Sequence, residues 1–372
     1  MQMAVIAIFC DGTWNSLGAT RPTHVERLAR VAVQSDAQKV LYFAGVGTGV
    51  GAMSSTGRVI DRLGGGLFGW GLNRNIKSAY RELCRVHQPG DKIMVFGFSR
   101  GAYTARSLVG MIRKCGILEE ASTARVNEVF RLYRLRGEEN APDQPHIRAA
   151  RRRLSPRFAT SPTDVVTRND DSFLVRIAYL GVWDTVGALG IPGSLLGPIA
   201  RIWNRRYAFH DTSLSGLVEQ ARHALALDEK RVFYEPALWT NLEASDTGSG
   251  LNSWFDAQDL PYRQIWFAGV HGTVGGSTEK QGLAGATLLW IWEGACALGL
   301  RLKVGVNLPQ EPLDPAQDAE ELGAFGPVYR VLPWLLAWRR GPALLRDIHP
   351  SVGARLVARS DYRPGSLSYL EQ

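Results

Sequence analysis

The residues with the clearest chemical potential form the turn Gly97-Phe98-Ser99-Arg100-Gly101. It is a G-x-S-x-G pattern between an apolar, strand-like run at 92–96 and a helix-forming stretch at 102–108. A strand-to-helix turn this sharp strains its central residue and holds that side chain out beyond the strand end. Gly97 and Gly101 support it by removing Cβ atoms that would collide there. A serine hydroxyl so placed can attack a carbonyl carbon if a base takes its proton and a carboxylate orients the base. The other reading is an ordinary serine in a glycine-lined turn.

Hydrolases of this type supply the partners in chain order serine, acid, histidine, each from a loop after a strand. Asp184 follows a predicted strand at 173–182, and His271 follows one at 264–270. Of the seven histidines, only His271 combines a preceding strand with a following glycine turn. His24, His87 and His146 fall in helical or polar stretches, His210 and His349 in loops, and His223 on a predicted helix. Asp11, which also ends a strand, is the rival acid. A helix N-cap role for Asp184 and a structural role for His271 are the alternatives. An oxyanion hole needs two backbone N–H donors. Arg100 is expected to supply one and the Gly12-Thr13 turn the other, with Asp11 bracing that turn. No metal or cofactor is required.

The elements that must position these residues alternate between strand, glycine turn and helix. Further strands are predicted at 3–9 and 40–43, and helices at 24–35, 72–86, 124–136, 217–226 and 283–300. The stretch 64–71 reads as apolar but too glycine-rich for a helix. This alternation predicts an α/β-hydrolase-like fold, with a mostly parallel central sheet and helices on both faces. One domain over 1–372 is expected, with a polar, arginine-rich excursion at 120–171 and a helical extension at 306–372, including an amphipathic stretch at 329–340.

Composition narrows the function classes. The 372 residues are 45% hydrophobic and 21% charged, as in a soluble globular protein. The formal net charge of +8 draws on a run of five arginines within 148–157. That run is read as a solvated basic face, with membrane-surface contact as the other use. No aromatics interleave with it, so no nucleic-acid partner is expected. The segment 45–51 lacks the Gly-Lys-Ser/Thr ending of a P-loop, which excludes nucleotide binding there. Cys10, Cys84, Cys115 and Cys296 are scattered without metal-ligand spacing and read as reduced thiols. The N-terminus has no charged n-region, so synthesis in the cytoplasm without a Sec signal is expected.

Several longer motifs carry a resemblance. Residues 9–15 (Phe-Cys-Asp-Gly-Thr-Trp-Asn), 42–49, 97–102, 182–187 and 266–271 together resemble the DUF2235 α/β-hydrolase family, over roughly 3–305. That family includes the catalytic domain of Tle1-type phospholipase effectors of the bacterial type VI secretion system. The resemblance implies a Ser99–Asp184–His271 triad and phospholipase A activity. It further implies possible export as an effector, and a secretion-apparatus or immunity protein as partner. One departure is plain. The family continues its histidine motif with an acid two positions on, where this chain has Thr273. The expected function is therefore carboxylic ester hydrolysis, with phospholipid as the leading substrate. A soluble acyl ester, or a non-catalytic binding module on the same scaffold, are the alternatives. The apolar stretches 64–71 and 191–210 would suit an acyl groove or lid.

Overall fold

Continuous apolar runs form strands that are buried on both faces. The computed structural model of the protein describes residues 3–12, 15, 17–46, 67–187, 213–244, 249–317, 329 and 331–370. Its strands are β1 (Val5–Cys10), β2 (Gln38–Phe43), β3 (Lys92–Phe98), β4 (Phe158–Ala159), β5 (Phe173–Leu174), β6 (Arg176–Trp183), β7 (Val218–Ala226) and β8 (Tyr262–Phe267). Six of them form one sheet in the order β2-β1-β3-β6-β7-β8, and each pairing is parallel. The order reverses between β1 and β3. Open α/β sheets bind ligands beyond the carboxyl ends of strands at such a reversal. Asp11 and Ser99 directly follow those two strands.

The two sides of β1, β3 and β6 feed two separate cores, with an irregularity in β6 that puts the neighbours Ala178 and Tyr179 in the same one. Ile6, Ile8, Ile93, Val95, Ile177 and Leu180 face one side; Ala7, Phe9, Met94, Phe96, Ala178 and Tyr179 face the other. Phe9 and Phe96, paired in register, stack with ring centroids 4.8 Å apart. The first face is covered by α2 (Leu67–Val86), α3 (Arg100–Cys115) and α4 (Thr123–Tyr133); the second by α1 (His24–Val31) and α8 (Ala284–Ala297). Between them in the chain lie α5 (Pro145–Leu154), α6 (Pro162–Arg168) and α7 (His271–Gly275); α9 (Pro350–Ala358) follows. The expected α/β architecture with helices on both faces is the one observed.

Several expectations are corrected. Within the segment 217–226, Val218–Ala226 is strand β7, not a helix. Its alanines favour helix locally, but the segment lies between β6 and β8, where ladder pairing and two-sided burial override propensity. The non-helical reading of 64–71 fails from residue 67 onward, because α2 begins at Leu67. A Cβ at Gly71 would lie 2.3 Å from Val46 Cγ1, so glycine inside this helix permits close approach to the loop after β2. Residues 64–66 lie outside the described set. The single strand at 173–182 is divided: β5 pairs with β4 in a separate two-stranded ribbon, and β6 enters the main sheet. Beyond 306, the described residues hold α9 with the 3₁₀ turns Pro333–Leu335, Leu345–Asp347 and Gly365–Tyr369, and residues 329 and 331 are helical.

The arginine run is not simply a solvated face. Arg151 is fully buried and pairs with Asp164 at 3.0 Å, while Arg168 reaches the same carboxylate at 3.2 Å. The other four are matched by acids: Arg148 with Asp143, Arg152 with Asp170, Arg153 with Glu128 and Arg157 with Glu119. Burial alone would raise the Asp164 carboxyl, but the bonds from Arg151, the Thr160 amide and Arg168 bring it below its ordinary range. A depressed carboxyl contributes stability above the unfolded pKa, and that stability is lost as pH falls through the folded value. Asp164→Ala would leave Arg151 charged and buried, and is expected to cost about 3–5 kcal/mol. Urea unfolding at neutral pH measures this, and a loss below about 1 kcal/mol, the range of an exposed pair, would contradict it.

Candidate active site

Ser99 sits between the end of β3 and the start of α3 with φ 56° and ψ −121°, outside the conformations that L-residues favour. Both flanking glycines are sterically required. A Cβ at Gly97 would lie 2.5 Å from the Gly101 carbonyl oxygen, and one at Gly101 would lie 2.1 Å from the Cys10 carbonyl oxygen. The turn is tied to the sheet where Ser99 N–H donates to the Trp183 carbonyl at 3.0 Å.

Asp184 follows β6 directly and also has a positive φ, 37°. Its N–H donates to Ala224 O at 2.7 Å, which anchors it to β7. His271 opens α7, three residues beyond Ala268, in the loop after β8. The structure brings these three side chains together. His271 Nε2 lies 2.8 Å from Ser99 Oγ, and His271 Nδ1 lies 2.6 Å from Asp184 Oδ2. Asp184 is fully buried, and Ser99 and His271 are nearly so. The imidazole packs between the Phe98 and Tyr234 rings, each 4.7 Å away between centroids.

The electrostatics of the three differ. Burial opposes the Asp184 anion, but the Arg339 charge and the His271 bond outweigh it and hold the carboxyl well below its usual range. Burial also lowers the His271 pKa; the Asp184 bond opposes this without cancelling it. The imidazole is therefore neutral at neutral pH, as a base must be to accept a proton.

The remaining candidate residues divide. Arg100 is the first residue of α3, directly behind Ser99, where the positive end of the helix dipole lies. Gly12 N–H donates to Asp11 Oδ1 at 2.6 Å, so this donor is engaged by a carboxylate and not presented to a ligand. Thr13 lies outside the described residues, as do His210 and the proposed groove at 191–210. Asp11 makes its own set of hydrogen bonds. It accepts from Thr23 Oγ1 at 2.8 Å and Tyr42 OH at 2.6 Å, and burial raises it to about 6 despite these bonds. The carboxylate that His271 Nδ1 meets is Asp184. His223, expected on a helix, is buried in β7, where its Nε2 accepts from Thr185 N–H at 3.1 Å.

Two features escaped the sequence reading. Asp228 and Glu229, after β7, hold the histidine loop: Asp228 Oδ2 accepts from Gly269 N–H at 2.6 Å, and Glu229 Oε2 from His271 N–H at 3.1 Å. Adjacent acids at a strand end were the available signal, once β7 is read as a strand. Thr273 packs near Gly269: a Cβ at Gly269 would lie 2.6 Å from Thr273 Cγ2. The second feature is Arg339, whose guanidinium reaches both Asp184 oxygens, at 2.7 and 2.8 Å. No sequence spacing links these two residues.

Among the described residues no cluster of three or more metal-ligating side chains occurs, and no helix is long and apolar enough to cross a membrane. A parallel sheet with a serine at a strained strand-to-helix turn places the molecule among α/β-hydrolase-like proteins. Within that class, the chain belongs to the family described as type VI secretion (T6SS) phospholipase effector Tle1-like, catalytic domain, which it matches over residues 5–294. An uncharacterized protein of Saccharomyces cerevisiae is 28% identical over 242 residues, covering 63% of this chain and 32% of that protein. The chain thus spans about a third of that relative's length. Similar solved structures include an uncharacterized protein from Pseudomonas aeruginosa, at 14% identity and TM-score 0.47, covering 84% of this chain and 49% of that one. The Tle1 effector bound to the VgrG spike of the type 6 secretion system is another, at 17% identity and TM-score 0.34, covering 74% and 51%.

Because Gly101 backs onto main-chain atoms, Gly101→Ala cannot be absorbed by a side-chain rotation. It is expected to destabilise the fold by at least the ~1–3 kcal/mol typical of overpacking. Urea denaturation checks this, and an unchanged midpoint would show that the turn is looser than its geometry implies.

Proposed function

We propose that this chain hydrolyses carboxylic esters by two-step acyl transfer, with Ser99 as nucleophile, His271 as base and Asp184 as the acid that orients it. The observation that carries this reading is the unbroken chain of contacts from Ser99 Oγ through the imidazole to Asp184 Oδ2. His271 Nε2 takes the serine proton as Oγ bonds to the ester carbonyl carbon. The imidazolium, steadied by Asp184, then gives that proton to the leaving alcohol as the ester C–O bond breaks. Water repeats the sequence on the acyl-enzyme and releases the acid. The Arg100 N–H, backed by the α3 dipole, is one oxyanion donor. With Gly12 N–H engaged by Asp11, Thr13 is the second donor of the proposed pair.

Family membership supports a phospholipid as substrate and export by a type VI apparatus, and we extend this reading to cleavage at an A1 or A2 position. Contact with a membrane surface, a delivery component and an immunity protein belong to the same reading. The local pairing of the arginine run with acids gives that run no special part in membrane contact.

A fluorophosphonate probe followed by intact-mass measurement tests the nucleophile. One adduct that disappears in Ser99→Ala is expected, and absence of an adduct on the folded protein counts against an activated serine. Ser99→Ala and His271→Ala are expected to lose on the order of 10⁶ in kcat, as in a working triad. Asp184→Asn is expected to lose on the order of 10⁴. Near-wild-type turnover in Ser99→Ala sinks the mechanism. Hydrolysis of phospholipid vesicles in preference to soluble short-chain esters is expected, and the reverse preference points to a soluble substrate. Since burial lowers the His271 pKa from 6.5, the acid limb of kcat/KM is expected below that value. A limb above pH 7 would contradict a buried neutral imidazole.

A further inference from the structure

Arg339 lies beyond the family match, which ends at residue 294, yet it is buried against the residues of the proposed relay. Its Nη1 donates to Asp184 Oδ1 at 2.7 Å and to Ala226 O at 3.1 Å. Its Nη2 donates to Asp184 Oδ2 at 2.8 Å and to the Tyr234 carbonyl. The two-pronged contact fixes the plane of the carboxylate, as a lysine could not. Asp184 Oδ1 also accepts from Ala226 N–H at 3.0 Å, which leaves Oδ2 directed at His271 Nδ1.

We propose that Arg339 is a positioning residue for the Ser99–His271–Asp184 relay, and that the C-terminal segment carrying it is part of the active site. The proposal rests on the hydrolase reading above. The segment is built into the site at further points. Ala337 N–H donates to Lys230 O at 2.7 Å, and Ser366 Oγ to Leu227 O at 2.7 Å. Tyr362 OH donates to Asp228 Oδ1 at 2.8 Å, while the other oxygen of Asp228 holds Gly269 in the histidine loop. One strap thus secures the acid through Arg339 and the base loop through Asp228.

The charge of Arg339 has a definite effect on the relay. It keeps Asp184 ionised while partly neutralising the field that this carboxylate exerts on His271. The other groups facing the pair are Glu229, Arg231 and Tyr234 beside His271, with Glu235 and His223 beside Asp184. His223 is held neutral near pH 7, because burial lowers it to about 3. Removing the cation makes the surroundings of the Asp184–His271 pair more negative. The pair then takes up its proton at higher pH, whichever residue the proton sits on.

The test compares Arg339→Gln, which keeps hydrogen-bonding capacity without charge, with Arg339→Lys, which keeps charge without the fork. kcat/KM for a soluble ester is measured across pH on protein whose folding is checked by circular dichroism. R339Q is expected to lose on the order of 10² in kcat/KM and to move its acid limb up by about one pH unit. R339K is expected to keep the limb in place and still lose rate. A folded R339Q with wild-type rate and limb overturns the proposal. So does a slower R339Q with an unmoved limb, because a purely structural role would give that result. If R339Q does not fold, a folded R339K with wild-type rate overturns it. Ser99→Ala separates this proposal from the reading beneath it. Turnover in S99A defeats the hydrolase mechanism itself, whereas an inert S99A beside a wild-type-like R339Q defeats only the role of Arg339.

Discussion

A single buried carboxylate organises this molecule. Asp184 has no solvent exposure, and an isolated anion there would cost several kcal/mol. The cost is offset only if each oxygen is satisfied, and the four groups that satisfy them come from distant parts of the chain. Ala226 N–H arrives from the end of β7, His271 from the loop after β8, and both Arg339 nitrogens from the C-terminal segment. Misplacing any one element leaves a charge uncompensated. The site is therefore coupled to the fold through electrostatics as much as through packing.

Backbone geometry supplies the second constraint. Ser99 and Asp184 are both non-glycine residues with positive φ, at the ends of neighbouring strands β3 and β6. Such strain persists where surrounding structure over-determines it, and it gathers at functional sites. Here the surroundings are the paired strand ends, the close-packed Gly97 and Gly101, and the amide bonds from Ser99 to Trp183 and from Asp184 to Ala224. The strand order reverses between β1 and β3, the two strands that Asp11 and Ser99 follow. Asp11 is tied to Thr23 and Tyr42 at the end of β1.

Much of the scaffold was readable from local patterns. The runs that became β1, β3 and β6 are apolar at nearly every position, which is the mark of two-sided burial, and β8 is apolar apart from Arg263 and Gln264; polar or glycine-bearing turns follow them. The placement of Ser99 in a strand–turn–helix followed from this, as did the positions of Asp184 and His271 at strand ends. β7 was not readable, because alanines with one histidine fit a helix as well as a strand; pairing with β6 and β8 decides between them. Arg151 reads as a surface charge in the sequence, since nothing local signals that Asp164 and Arg168 enclose it.

Local sequence pattern was enough for the serine turn, for the strands that precede Ser99, Asp184 and His271, and for the residue types that follow them. These depend on periodicity, glycine content and chain order, which are properties of neighbouring residues. Only the tertiary structure decided which hydrogen-bond donors are engaged, which acids hold the histidine loop and which cation faces Asp184. Gly12 N–H is turned onto Asp11, Asp228 and Glu229 hold the loop, and Arg339 meets a carboxylate 155 positions earlier in the chain. The physical reason is that the cost of burying a charge depends on what surrounds it in space. Residues far apart in sequence acquire that dependence only when the chain has folded.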